Sequence, residues 1–155
     1  GLQGGPHNQQ TAAIAVSLRQ AQGREFKNYG RKVVENAKVL ASELKRHGFD
    51  LVSGGTDNHL LLVDLRSKKV LGKPVAIALE EAGIVVNYNA IPFDPNPPMN
   101  PSGIRLGTPA LTTRGMGKGE MKKIADWINE VVENPKSVKK VKKEVEKLCK
   151  KFPVP

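Results

Sequence analysis

Apolar side chains recur every three or four residues over most of this chain, and form runs only briefly. Residues 6–22 are alanine-rich and carry Ile14, Val16 and Leu18, with proline at the first position, which suits a helix start. Over residues 24–47, Phe26, Tyr29, Val33, Ala37, Leu40, Ala41 and Leu44 fall on one side of a long helix. Gly48 follows, where a left-handed C-terminal residue belongs. Shorter amphipathic patterns cover residues 72–82 (Val75, Ala76, Leu79), stopped by Gly83, and 120–132 (Met121, Ile124, Ala125, Ile128, Val131, Val132), broken by Asn134-Pro135. A last pattern over 137–151 sets Val138, Val141, Val145 and Leu148 at intervals of three and four. Residues 59–65 read as a buried strand, 84–87 as a second, and 104–106 as a very short third with glycine on both sides. Strands alternating with helices predict an α/β layered domain, a small sheet with helices against one face. No internal repeat is present.

Between these elements lie the stretches that carry chemistry. In Ser102-Gly103-Ile104-Arg105-Leu106-Gly107-Thr108-Pro109, Thr108 is placed as a helix N-cap and Pro109 as the first helical residue, with Gly115 as the stop. Arg105 then projects from a strand fragment one turn ahead of a helix. It can grip a carboxylate through two parallel hydrogen bonds, or serve in a surface ion pair. Upstream, residues 92–101 hold five of the chain's 11 prolines, which excludes a helix or an inner strand. A loop of that length running from a strand end into Arg105 suits the wall of a binding cleft. Gly4-Gly5 ahead of a helix form an anion site by geometry, or simply a turn. His7 suits a capping or hydrogen-bonding role better than that of ligand or base. Asp57 and His59 lie in the turn-rich cluster around Gly54-Gly55-Thr56-Asp57-Asn58, two candidate ligands without a third, so a structural turn feeding a central strand accounts for them and no metal is expected. Gly115-Met116-Gly117-Lys118-Gly119 has neither the spacing nor the Ser/Thr of a phosphate loop.

Composition narrows the class. At 155 residues, with 39% hydrophobic and 26% charged residues, the chain suits a soluble globular domain, and no apolar run approaches the ~20 residues of a membrane span. The first seven residues have neither the basic nor the apolar region of a signal peptide, and a lone Cys149 fits a reducing compartment, so cytoplasm is the expectation. Of the net charge of +10, half comes from residues 118–151, where 11 lysines face 6 acidic residues. With aromatics at 5% and none among the lysines of residues 137–151 before Phe152, a solvated helix face accounts for them better than nucleic acid does.

Four segments together resemble serine hydroxymethyltransferases, pyridoxal-phosphate enzymes of one-carbon metabolism. They are Gly4-Gly5-Pro6-His7-Asn8, residues 51–60 (Leu-Val-Ser-Gly-Gly-Thr-Asp-Asn-His-Leu), Asn87-Tyr88-Asn89, and Ser102 through Thr112, in the family's order and spacing. The resemblance implies the C-terminal small domain of a fold-type I pyridoxal-phosphate transferase: a small, mostly antiparallel sheet packed with helices, plus a long connecting helix. Residues 1–24 would be the tail of the large cofactor domain, and 25–155 the long helix and small domain. Arg105 matches the arginine that holds the α-carboxylate of serine or glycine. Gly4 and Gly5 match the glycine loop that reaches the cofactor phosphate of the neighbouring subunit of a homodimer. Asn89 matches a side chain on the folate pteridine, and Pro97, Pro98 and Met99 fall where the family's loop borders tetrahydrofolate. The Schiff-base lysine, the histidine stacked on the cofactor ring and the aspartate on its pyridinium nitrogen have no counterpart here, so no catalytic residue is expected in this chain and the piece alone is expected to be inactive. Tyr88 stands where many members have lysine, and Asn96 replaces a basic residue, which changes the expected contacts to the folate tail. A non-catalytic binding or assembly module of the same fold, and a basic nucleic-acid-binding domain, are the other function classes.

Overall fold

The computed structural model describes residues 4–155; residues 1–3, which began the reading for a targeting segment, lie outside the described residues. The chain divides into two compact units, Gly1–Arg31 and Lys32–Pro155, with the division inside a long helix. In the first unit, α1 (Asn8–Ala21) buries no residue, and Ile14, Val16 and Leu18 are all more than half exposed. It begins two residues later than its proline suggests: Pro6 precedes His7, which takes the N-cap position, because the first helical hydrogen bonds run from Gln10 and Thr11 to the His7 carbonyl. α2 (Arg24–Arg46) follows, with the rings of Phe26 and Tyr29 5.8 Å apart near its start.

The second unit is built around a sheet of four strands: β1 (Asp50–Leu51), β2 (Leu60–Asp64), β3 (Asn87–Asn89) and β4 (Gly103–Gly107). Their order is β1-β2-β4-β3, and every pairing is antiparallel. Side chains alternate across a strand, so register decides what each face carries. Leu61 and Val63 on β2 pair with Leu106 and Ile104 on β4, and all four are buried. That face meets α2, α3 (Gly72–Glu81), α5 (Lys118–Glu133) and α6 (Val138–Lys151) in one core, where Leu40, Leu44, Leu79, Met121, Ile128 and Val141 are essentially inaccessible. The helical periodicities predicted these elements to within two residues at each end. Gly48 and Gly83 take left-handed φ of +79° and +84°, as stops at these two helix ends require.

Two expectations fail for identifiable reasons. The strand expected over 84–87 is β3, at 87–89. Ile84 and Val86 alternate inward with an exposed Val85, but the partner strand engages only Asn87, Tyr88 and Asn89, opposite Arg105, Ile104 and Gly103. Thr108 does precede α4 (Pro109–Thr113), yet its hydroxyl makes no cap; it donates instead to the carbonyl of Val33 at 2.8 Å. A buried bond to the neighbouring helix wins over a local one, and it pins the end of β4 to α2. Asn36 reinforces the joint, its buried amide donating to Thr112 Oγ1 (2.9 Å) and to the Met116 carbonyl (3.0 Å).

At Gly103 the outer side of the sheet has no room. A Cβ there would sit 2.6 Å from Ile91 Cγ2, 2.8 Å from the Asn89 carbonyl and 2.9 Å from that of Val63. Two of those atoms belong to backbone held in the sheet, so they cannot give way. Gly103→Ala is expected to lower stability by about 1–3 kcal/mol, read as a fall in the urea midpoint at unchanged m-value; an unchanged midpoint would show that the sheet opens there freely.

Candidate functional site

Arg105 stands at the centre of β4, between Leu62 of β2 and Asn87 of β3. Its neighbours Ile104 and Leu106 point into the core, so Arg105 points outward, and it is exposed. Its same-face neighbours along β4 are Gly103 and Gly107, so no side chain on its own strand crowds it. Among the described residues it has no hydrogen-bond or ion-pair partner. The carboxylate on that face of β2, Asp64, is already taken: Arg66 Nε lies 3.1 and 3.0 Å from its two oxygens, and Arg66 NH2 lies 2.7 Å from Oδ2. The Arg66 bond holds the Asp64 carboxyl below its usual range. The surface ion pair that competed as an explanation of Arg105 is therefore made by Arg66 instead.

Asn87 and Asn89 occupy the same outer face, directly beside Arg105 and one pair further along. The Asn89 amide donates to the Ala90 carbonyl at 2.9 Å, which fixes its orientation. From Asn89 the chain enters the proline segment and returns at Gly103, the partner of Asn89 in the sheet. Ile91 folds back over Gly103, so the loop reaches the outer face one position from Arg105. Pro97, Pro98 and Met99 are exposed along this loop, and so is Phe93, which adopts a left-handed φ of +55°.

One side chain holds that loop, and sequence reasoning missed it. Asp94 Oδ1 accepts from the Asn96 amide (3.0 Å) and the Ser102 hydroxyl (2.7 Å). Its Oδ2 accepts from the amides of Ile91 (3.2 Å) and Ser102 (2.9 Å). Asn96 adds a bond from its amide to Ser102 Oγ at 2.8 Å, and Ser102 is fully buried. Withdrawal from water pushes the Asp94 carboxyl up, but the four bonds outweigh it and hold the group well below the ordinary carboxylate range. The only signal in the sequence was Asp94-Pro95-Asn96, which reads as any turn does.

Gly4 and Gly5 lie in the other compact unit, exposed, with open space where a Cβ would stand. α1 behind them has no acidic residue in its first turn and no side-chain cap, so the bonding role expected of the His7 side chain is not seen. The 54–59 cluster is structural: Thr56 Oγ1 donates to the Leu60 carbonyl (2.6 Å), Asn58 Oδ1 accepts from the Leu60 amide (2.9 Å), and the His59 carbonyl accepts from Thr108 N (3.0 Å). Asp57 and His59 are exposed, and among the described residues no three His, Cys, Asp or Glu side chains gather as for a metal. Lys118 opens α5 with the Glu120 carboxylate accepting from Gly117 N at 2.9 Å, so that glycine-rich run is a helix start. Among the described residues no helix is long and apolar enough to cross a membrane.

Asp94 makes the loop acid-sensitive in a defined direction. A carboxyl depressed in the folded chain stabilises it fully above its unfolded value of 3.8, and that contribution fades below as the group takes up a proton. The Asn96 and Ser102 amide resonances should therefore hold constant down to pH 4 and move only under stronger acid. Asp94→Asn should loosen the loop at neutral pH, because an NH2 group then faces N–H donors; limited proteolysis next to the exposed Phe93 should quicken, and an unchanged cleavage rate would remove Asp94 as the organiser.

Comparison with known proteins bears on all of this. Residues 1–128 match the family model described as serine hydroxymethyltransferase. The chain is 60% identical over its whole length to a protein named serine hydroxymethyltransferase from Acidothermus cellulolyticus, covering 38% of that relative. It is 52% identical to one of the same name from Sorangium cellulosum, again over its whole length and 37% of the relative. A third, from Wolbachia of Drosophila simulans, is 53% identical over 99% of the chain and 38% of the relative. The chain thus spans less than two fifths of the length of these relatives.

Proposed function

The chain belongs to the serine hydroxymethyltransferase family, and we propose that it supplies the C-terminal portion of such an enzyme: the part that holds the amino-acid carboxylate and borders the folate. The complete enzyme would interconvert serine plus tetrahydrofolate with glycine plus 5,10-methylenetetrahydrofolate, as a cytoplasmic homodimer. The observation that carries this reading is Arg105, an exposed guanidinium with no acidic partner among the described residues, fixed in the middle of a paired strand.

The residues fit both charged groups that such an enzyme must hold. Gly4 and Gly5 are exposed and unobstructed ahead of an uncapped helix, which suits the phosphate of pyridoxal phosphate. When bound, that cofactor supplies the electron sink for negative charge at the substrate Cα. Arg105 contributes orientation. Its two parallel N–H donors take both carboxylate oxygens, which fixes the plane of the carboxylate and the position of Cα, where a lysine would fix only a point. Asn89 offers an amide already oriented by Ala90, and Pro97, Pro98 and Met99 an exposed apolar edge, suited to the polar rim and flat faces of a pteridine. Tyr88 and Asn96 carry no positive charge at positions where the family often does, and Asn96 is tied to Ser102, so a polyglutamate tail would find little attraction from these two residues.

In the complete enzyme, Arg105→Lys and Arg105→Ala should each lower kcat/KM for serine by at least about a hundredfold, since a displaced substrate loses its positioning. Thermal stability should stay unchanged, because Arg105 has no partner to lose among the described residues. Near-normal kcat/KM in Arg105→Ala would take the carboxylate away from this residue, and the 155 residues alone should turn over no serine.

A further inference from the structure

The last helix raises a question that the reaction does not answer. α6 carries seven lysines against two acidic residues, a net charge of +5. Its apolar stripe of Val141, Val145 and Leu148 is buried in the core, so charged groups make up most of its outer surface. Lys140 is spent on Glu130 at 2.9 Å.

Where α6 meets α5 the surface is concave. Lys123 and Trp127 from α5, with Glu144, Lys147, Leu148 and Lys151 from α6, line a cavity of about 350 Å³. Trp127 and Leu148 are its buried, apolar floor, and the indole N–H donates to Glu144 Oε2 at 2.6 Å. Among the described residues Lys123, Lys147 and Lys151 have no hydrogen-bond or ion-pair partner. Three lysines and one glutamate thus line a single concavity, and the carboxylate accepts from the indole. Cations scattered over a convex helix face stay in solvent and repel one another weakly. Cations gathered over a low-dielectric floor focus their field into the space between them.

We propose that this α5–α6 groove is a binding site for a compact polyphosphate anion, a ligand with two or more adjacent phosphoryl groups. Each ammonium is a compact charge with three donors, and Lys147 and Lys151 stand one helical turn apart, so neighbouring phosphoryl groups can be met at once. A singly charged ion would gain from only one of them. A lipid surface does not fit, because the lysines line a hollow and the apolar stripe of α6 is already buried. The site is independent of Arg105 and of the reading built on it.

Trp127 is the chain's only tryptophan and lies in the groove, so it reports directly. The chain as it stands should be titrated with sodium tripolyphosphate, following Trp127 emission and, independently, heat by calorimetry. The expected result is saturable binding that weakens with salt and is weakened about tenfold or more in Lys147→Gln/Lys151→Gln. The control Lys139→Gln/Lys142→Gln removes the same charge from the same helix away from the groove, and should bind nearly as tightly as the unaltered chain. Equal loss in both pairs, or no saturation, would overturn the proposal. Adenosine triphosphate and inorganic phosphate are the remaining arms. Affinity for the nucleotide comparable to that for tripolyphosphate supports recognition of the phosphate chain, whereas phosphate alone binding as tightly would overturn it. A single-stranded oligonucleotide held equally by both pairs, with tripolyphosphate not held at all, would replace the groove with diffuse attraction.

Discussion

The carboxylate of Asp94 is the constraint on which the outer face of the sheet depends. Five prolines stiffen the segment that joins β3 to β4, but stiffness alone does not return a chain to a chosen place. Four hydrogen bonds to one carboxylate do: they gather the start of the loop at Ile91, its middle at Asn96 and its end at Ser102. Asn89 and Gly103 can then stand opposite each other in the sheet, with Ile91 folded over the gap that Gly103 leaves. The prolines reduce the entropy lost on closing the loop, and the carboxylate sets where it closes.

The two faces of the sheet divide the work. The inner face is ordinary core, Leu61, Val63, Ile104 and Leu106 against four helices. Because β4 is paired on both sides and its inner residues are packed, Arg105 sits on backbone with little freedom to move. Thr108 and Asn36 extend that rigidity to α2 and α4 through buried hydrogen bonds rather than through further apolar contact. Such bonds specify one arrangement, because each unpaired alternative leaves a buried polar group unsatisfied.

What could be read from sequence and what could not follows the range of the interactions. Helical periodicity located α2, α3, α5 and α6, since each records burial of one face. Glycines on either side of residues 104–106 marked β4, and Pro109 marked the start of α4. The failures in the second unit are long-range. The span of β3 depends on which residues β4 pairs, and nothing in Ile84-Val85-Val86 reveals that. Thr108 reads as a cap locally, but the Val33 carbonyl 75 positions away claims its hydroxyl. Asp94 looks like any turn aspartate until the loop closes and brings Ser102 to it. The strand position of Arg105 was legible because its local setting, a short strand between glycines, is also its structural setting.

A guanidinium with no partner among the described residues, in a protein with 15 acidic residues, needs its own explanation, and the disposition of the carboxylates supplies it. Asp64, which shares its face, is held by both arms of Arg66, so it is not available to Arg105 without breaking that pair. Asp94, in the loop that leads into β4, has both oxygens filled by donors from the loop itself. Each acid is satisfied by a partner closer in sequence than Arg105. The same local bonds that close the loop keep these acids away from the cation, and Arg105 stays exposed on the outer face of β4.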